Sequence, residues 1–481
     1  MRPIVVWFRR DLRTDDHAAL WRAAQTGVPI VPLFIVDRRL IAELPSDGTI
    51  FDFQAACLSE LADRLAYLGA PLCIRYGEPT EVFRALFNEL SVAALYYNRD
   101  YEPYARERDR AVEALARTYG VTVRSFKDHV LVEPWEVATA DGKPFVMYTP
   151  FFRAWSAVPK PEPFREPEHL CGVPGLRSDS IPKAVHLGKP ATIARWAVDP
   201  GMHAAHKRWE RFRSGGLLQY HKSRDFPALE EGSSRMSSYL RFGAISIRRL
   251  YRDAVAYLQD PRLSAEERTA IQRFIAELAW REFFQHVLWH FPDTPRRSFR
   301  PLGDAFPWEN NERLFRAWSE GQTGYPLVDA AMRELNETGY MHNRVRMVVA
   351  SFLVKDLHID WRWGERYFRS KLLDGDLASN VGNWQWAASV GVDTRPLRIF
   401  NPIRQSRQYD PDGTYIRRWV PELSELPATS IHEPWRSGRP GTEYPHPIVN
   451  HAERKRLFER IYAQLRSRSA TGGLPPSERD L

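Results

Sequence analysis

The chain has 481 residues, 43% of them hydrophobic, a net charge of +8 and three cysteines, Cys57, Cys73 and Cys171, at no paired spacing. That length points to two to four domains, and the cysteine pattern argues against a disulfide framework, a zinc ribbon or a four-cysteine iron–sulfur cluster. With no apolar run long enough for a bilayer and no signal region in the strand-like start Met1–Trp7, a cytoplasmic monomer without a membrane partner is expected; the basic balance suits nucleic acid.

The N-terminal third alternates short apolar runs with amphipathic ones. Ile4–Phe8, Ile30–Val36, Pro71–Tyr76, Val92–Tyr97 and Val121–Phe126 read as strands. Ala18–Ala24, Phe51–Leu68, Pro79–Leu90 and Tyr104–Tyr119 read as the helices between them. This predicts an α/β domain over 1–131 with a doubly wound parallel sheet, Rossmann-like in class. The loop after the first strand, Arg9-Arg10-Asp11-Leu12-Arg13, has no glycine, so neither a G-x-G-x-x-G fingerprint nor a phosphate-cradling P-loop is present. A ligand at the strand C-termini remains compatible with the switch-point rule.

From 132 to 202 proline recurs, beginning at Pro134 and ending at Pro200. Proline at this density prevents long helices and cannot serve a central strand. The segment reads as a long linker draped over the following domain, with one short helix near Tyr148–Trp155.

Beyond His203 the periodicity is helical, defining an all-α domain over 203–470. The predicted helices are 203–213, 237–241, 246–258, 264–291, 311–319, 325–338, 342–357, 364–369 and 379–390. Gly232-Ser-Ser-Arg-Met-Ser237 precedes a helix; small hydroxyls and backbone N–H groups there suit an anion as well as an ordinary cap. Glu277 and Trp280 share a helix face, with Arg281 one i+4 step from Glu277. Such an acid beside an indole can bond and stack on a planar base, or form a plain intrahelical ion pair over a core tryptophan. Asn343 and Met347 share another face, Arg346 can partner a carboxylate such as Asp374, and Asp356 lies further along. Asp374-Gly-Asp-Leu-Ala-Ser-Asn-Val-Gly-Asn-Trp-Gln-Trp386 concentrates two carboxylates around Gly375, the Asn380 amide, and two indoles, Trp384 and Trp386. Sixteen tryptophans mostly imply core; by spacing alone Trp308, Trp361 and Trp384 are core residues.

Taken together, Trp7–Arg13, the serine loop, the Glu277–Phe284 helix, Gly339–Asp360 and Asp374–Trp386 resemble, in this order, the photolyase/cryptochrome family of flavoproteins. The resemblance covers nearly the whole chain and is densest from Glu277 to Pro402. It implies FAD, active in its reduced form, in the helical domain. Tyr220, Ser233, Ser234, Arg235, Met236 and Ser237 would serve its phosphates, and Arg281, Arg346, Asp356, Asp374, Asp376 and Asn380 the rest of it. It further implies a pocket for a flipped cyclobutane pyrimidine dimer in UV-damaged DNA. Trp280 and Trp386 would sandwich the dimer, Glu277 and Asn343 would bond its edges, and Met347 would separate this pocket from that of 6-4 photolyases. Trp384, Trp361 and Trp308 match the family's electron-hopping chain. Arg224, Arg344, Arg404 and Gln405 are the candidates for phosphate and sugar contacts, which position a duplex without reading its sequence.

No metal is implied. A second, antenna chromophore is, near Tyr101–Arg108; Pro295-Arg296 stands where some folate-binding relatives carry cysteine, so folate, deazaflavin and FMN all stay open. The expected activity is light-dependent repair of the dimer, that is, a deoxyribodipyrimidine photo-lyase. Asn380 and the short tail after about Gln464 argue against a signalling cryptochrome, and Met347 against a 6-4 photolyase.

Overall fold

The computed structural model describes residues 1–43, 47–193, 195–393, 397–436 and 443–470. Its first third is one parallel sheet of β1 (Ile4–Phe8), β2 (Ile30–Asp37), β3 (Cys73–Gly77), β4 (Ala94–Asn98) and β5 (Thr122–Phe126), in the order β3-β2-β1-β4-β5. Helices cover both faces, so β1 is buried along its whole length. Ile4, Val6 and Phe8 join one core, and Val5 and Trp7 another. The strand order reverses at β1, which opens a crevice between the ends of β1 and β4. The Arg9 guanidinium fills it, 3.1 Å from Asp109 and bonded to the Asn98 carbonyl, over the Trp7 ring.

The proline-rich linker differs from expectation in its course. Its helix Tyr148–Ala157 does pack on the helical domain, with Phe151 5.2 Å from Phe283. The segment then returns over the α/β domain. β3 pairs with β2 only from Leu33 onward, so the Ile30 N–H is free to bond the Cys171 carbonyl at 2.7 Å. Further on, the Asp179 N–H donates to the Ile74 carbonyl at 2.9 Å. An extended proline-rich strand suits such sparse pairing, because it has few donors to satisfy.

The helical domain is organised on Ala265–His290, whose start carries a Ser264/Glu267 capping box. Two glycines let Leu377–Ala388 pack closely on its neighbours. A Cβ on Gly382 would lie 2.1 Å from Phe284, and one on Gly364 the same distance from Trp384. The helices expected up to residue 390 are present, with shifted ends. Leu217–Ser223, Pro402–Tyr409, Thr414–Trp419 and His451–Ala470 are additional. They are short or crowded with arginine, so their apolar period is thin: Phe458, Tyr462 and Leu465 alone carry the buried stripe of the last. Among the described residues no helix is long and apolar enough to cross a membrane.

Candidate functional site

The stretch from Asp374 builds the site through its turn. Asp376 caps Leu377–Ala388 by accepting the Ser379 N–H at 3.0 Å, and the Gly375 N–H closes onto the Leu372 carbonyl. Gly375 is not in a left-handed conformation. It serves by closeness, since a Cβ would lie 3.2 Å from the Leu372 oxygen.

An open pocket lies among Asn343–Lys355, Trp361–Lys371 and Leu377–Ala388. Asn343, Arg346, Met347, Asp374, Asn380, Trp384 and Trp386 line it, Trp384 being the more deeply buried of the two indoles. Asp374 Oδ2 accepts from Arg346 Nη2 at 2.9 Å and Ser237 Oγ at 2.5 Å, while Oδ1 is buried with no partner. Asn380 Nδ2 donates to the Glu365 carbonyl and carboxylate, both at 3.0 Å. Both amide hydrogens are thereby committed, and the amide oxygen is left as the acceptor. His342 caps the neighbouring helix, its Nδ1 accepting the Arg344 N–H at 3.1 Å. Burial pulls this imidazole down to about 3, so it is neutral and able to accept.

The serine loop meets the pocket through Ser237. Ser233 Oγ is 3.3 Å from the Tyr340 hydroxyl, and Ser234 Oγ accepts the Met236 N–H. Arg235 has φ +56°, with its guanidinium 5.0 Å from the Tyr340 ring and Nε buried without a partner. Asp374 Oδ1, Arg235 Nε, His342 Nε2 and Arg344 Nε are thus buried polar atoms without a partner. Buried polar groups are normally bonded, so this set fits a polar molecule rather than a closed core. Met236 and Tyr220 are buried among aromatic neighbours, with Tyr220 5.7 Å from Phe274.

Several expected site residues stand elsewhere. Asp356 lies at the far end of the Asn343–Lys355 helix, fully buried, with Oδ1 bonded to His451 Nδ1 at 2.5 Å and Oδ2 without a partner. The helix carries it several turns from Asn343, on a side packed against His451–Ala470. Asp376 does not line the pocket either. It bonds Arg10 at 2.7 Å and Gln285 at 3.2 Å, tying the two domains together. Against the opposing effect of burial, Arg10 and Arg281 hold its carboxyl well below the usual range. Arg281 belongs to that network, donating to the His129 carbonyl at 2.8 Å.

Glu277 Oε1 accepts from Arg224 Nη1 at 2.5 Å, so this guanidinium is engaged by a carboxylate. Trp280 lies flat on Tyr148, centroids 3.7 Å apart and planes within 6°. Sequence reasoning missed Tyr148, although it opens the one helix expected in the linker. Arg344 bonds Asp225 at 2.8 Å and covers the Tyr409 ring. Arg404 and Gln405 line a separate polar cavity with Asn401, His451 and Lys455. Trp361 is buried with Nε1 3.2 Å from Ser298 Oγ, and Trp308 is half-buried with Nε1 on the Gly303 carbonyl. Among the described residues, the indole in ring contact with Trp384 is Trp318. None of these residues forms a metal-holding group of three His, Cys, Asp or Glu.

The sequence model described as DNA photolyase matches residues 4–168, and that of the FAD binding domain of DNA photolyase matches 274–464. The deoxyribodipyrimidine photo-lyase of Synechococcus sp. is 42% identical over 475 residues, 97% of each chain. Among solved structures, a bacterial class III photolyase from Agrobacterium tumefaciens superposes with a TM-score of 0.90 at 36% identity, covering 97% of this chain and 98% of that one. A Synechocystis cryptochrome gives 0.88 at 31% identity, covering 96% and 99%. The chain belongs to the photolyase/cryptochrome family and carries that family's FAD-binding domain, on an α/β domain of the family's kind.

Proposed function

We propose that the protein repairs cyclobutane pyrimidine dimers in DNA under light. The observation that carries this is the joint wall of one pocket. Arg346, Asp374 and Asn380 offer a charged pair, an unpartnered carboxylate oxygen and an amide to a cofactor, while Asn343, Met347 and Trp386 offer an amide, a thioether and an indole face to a planar base. FAD bound there in reduced form would supply the electron that light drives into the dimer and receives back.

The chain's own residues do the rest. Ser233, Ser234, Ser237 and Arg235 hold phosphates at the start of the Ser237–Phe242 helix. Asn380, with its hydrogens held by Glu365, presents an oxygen of fixed direction. Trp386 stacks on a base taken out of the duplex, a step that costs a few kcal/mol and less at a damaged pair. Asn343 and Glu277 donate to or accept from the base edges, and Glu277 turns from Arg224 to do so. Arg344, Arg404 and Gln405 hold the flanking backbone. Tyr148 backs Trp280 so that its open face is held flat. A second chromophore between the domains is part of the same reading. Extraction and absorption spectroscopy of the purified protein decide among folate, deazaflavin and FMN.

The neighbouring cryptochrome supports a second reading, a photosensor with the same cofactor and no repair. Loss of dimers from DNA by the purified reduced protein, lit and dark, beside Glu277→Ala, separates the two. Repair in light, weakened in the variant, is expected. Light-driven flavin reduction without any loss of dimers would leave the photosensor.

A further inference from the structure

Trp318 stands outside every motif of the sequence, yet it is the indole against Trp384, with centroids 6.1 Å apart and planes at 71°. On its other side lies Tyr367, 5.7 Å away. Trp318 is fully buried, with Nε1 donating to the Val349 carbonyl at 3.0 Å. Tyr367 is partly exposed on Trp361–Lys371 and donates from Oη to Asn336 Oδ1 at 2.6 Å, Asn336 itself being partly exposed. Three oxidisable rings therefore run in contact from the pocket wall towards solvent. Electron exchange falls steeply with separation, so rings in contact are the favoured partners.

Around Tyr367 the charges are mixed: Glu320 is nearby, and Asp47 is paired with Lys371 at 2.8 Å. Burial, and after it the fields of Glu320 and Asp47, push its phenol up to about 12. Of the two, Glu320 favours a positive charge arriving on that side, while Lys371 offsets Asp47.

We propose that Trp384 draws electrons through two branches, and that Trp318 and Tyr367 form the second; this rests on the flavin reading above. Trp384, having given one electron to a light-excited oxidised flavin, takes one from Trp318, and Trp318 takes one from Tyr367. The phenol proton leaves Oη along the Asn336 hydrogen bond to solvent, and a neutral phenoxyl radical remains. One electron has moved inward and one proton outward.

The test follows flavin photoreduction and the electron spin resonance spectrum of the trapped radical in the flavin-loaded protein. Trp361→Phe is expected to photoreduce several-fold more slowly and to show a tyrosyl signal. Adding Tyr367→Phe, a change near the surface that leaves the core intact, should remove that signal. Adding Trp318→Phe should abolish the remaining photoreduction. The branch is overturned if Trp361→Phe alone stops photoreduction, if the residual reaction survives loss of Trp318, or if the radical is unchanged without Tyr367. A wild-type protein that shows no light-driven flavin reduction would instead sink the flavin reading itself.

Discussion

Arg346 Nη2 lies 2.9 Å from Asp374 Oδ2 at the pocket wall, while Asp374 Oδ1, a few bonds away, is buried and bonds nothing in the described protein. One oxygen is held by the protein and the other is left for a ligand. This is the arrangement of a site prepared for a polar molecule. It also makes the pair the most direct handle on cofactor binding.

Asp374→Asn keeps the shape and removes the charge. Breaking a buried ion pair from one side costs about 3–5 kcal/mol, and less here because the Arg346 side chain is 24% exposed. The expected result is a loss of about 1.4–2.8 kcal/mol in FAD binding, roughly ten- to a hundredfold. Titration of the apoprotein with FAD measures it. Binding equal to wild type would take Asp374 out of the cofactor site.

Trp386→Ala tests the lesion side of the same wall. Stacking of a base on an aromatic ring is worth about 1–3 kcal/mol. Binding of dimer-containing DNA is therefore expected to weaken by roughly five- to 150-fold, with binding to undamaged duplex unchanged. Equal weakening on both DNAs would show that Trp386 supports the surface instead of holding the base.

The sheet and the order of the helices were legible because apolar periods of 2 and 3.6 survive in those segments. The wall formed by Asn343, Arg346, Met347, Asp374 and Asn380 was legible too, through motif resemblance. What escaped depends on contacts between segments far apart in the chain. Asp376 carries no mark in its local sequence that Arg10, 366 positions earlier, will claim it. Nor does Asp356 carry any local mark of its bond to His451, which a late, weakly periodic helix brings to it. Tyr148 and Trp318 were invisible for the same reason: stacking partners are set by packing between elements, which spacing along one helix does not encode.

Trp384→Phe separates the supply of electrons from their use. Trp384 is the deeper of the two indoles in the pocket wall, with 2% of its surface exposed, while Trp386 is half-buried. Protein carrying oxidised flavin should then lose nearly all photoreduction, while chemically reduced protein should repair dimers at the wild-type rate. Repair lost in the chemically reduced variant would mean that the indole shapes the pocket, and a melting curve beside the assay would register that change.

Glu334 gives the protein a pH dependence of defined sign. Its carboxylate accepts the Tyr415 hydroxyl at 2.5 Å and lies within the fields of Arg235 and Arg346. Burial nonetheless dominates and pushes it from 4.5 up to about 7. Between those values the folded state holds a proton that the unfolded state has released, so stability is full below about 4.5 and falls as pH rises towards 7. The change amounts to at most about 3 kcal/mol. Lys355, pulled by burial from 10.5 down to about 7, acts with the opposite sign above that window, but it is common to wild type and variant and cancels in their difference. Urea unfolding from pH 4.5 to 8 should show wild type losing stability relative to Glu334→Gln across this range. Two parallel profiles would mean that Glu334 ionises at its ordinary value and that Arg235 and Arg346 offset its burial.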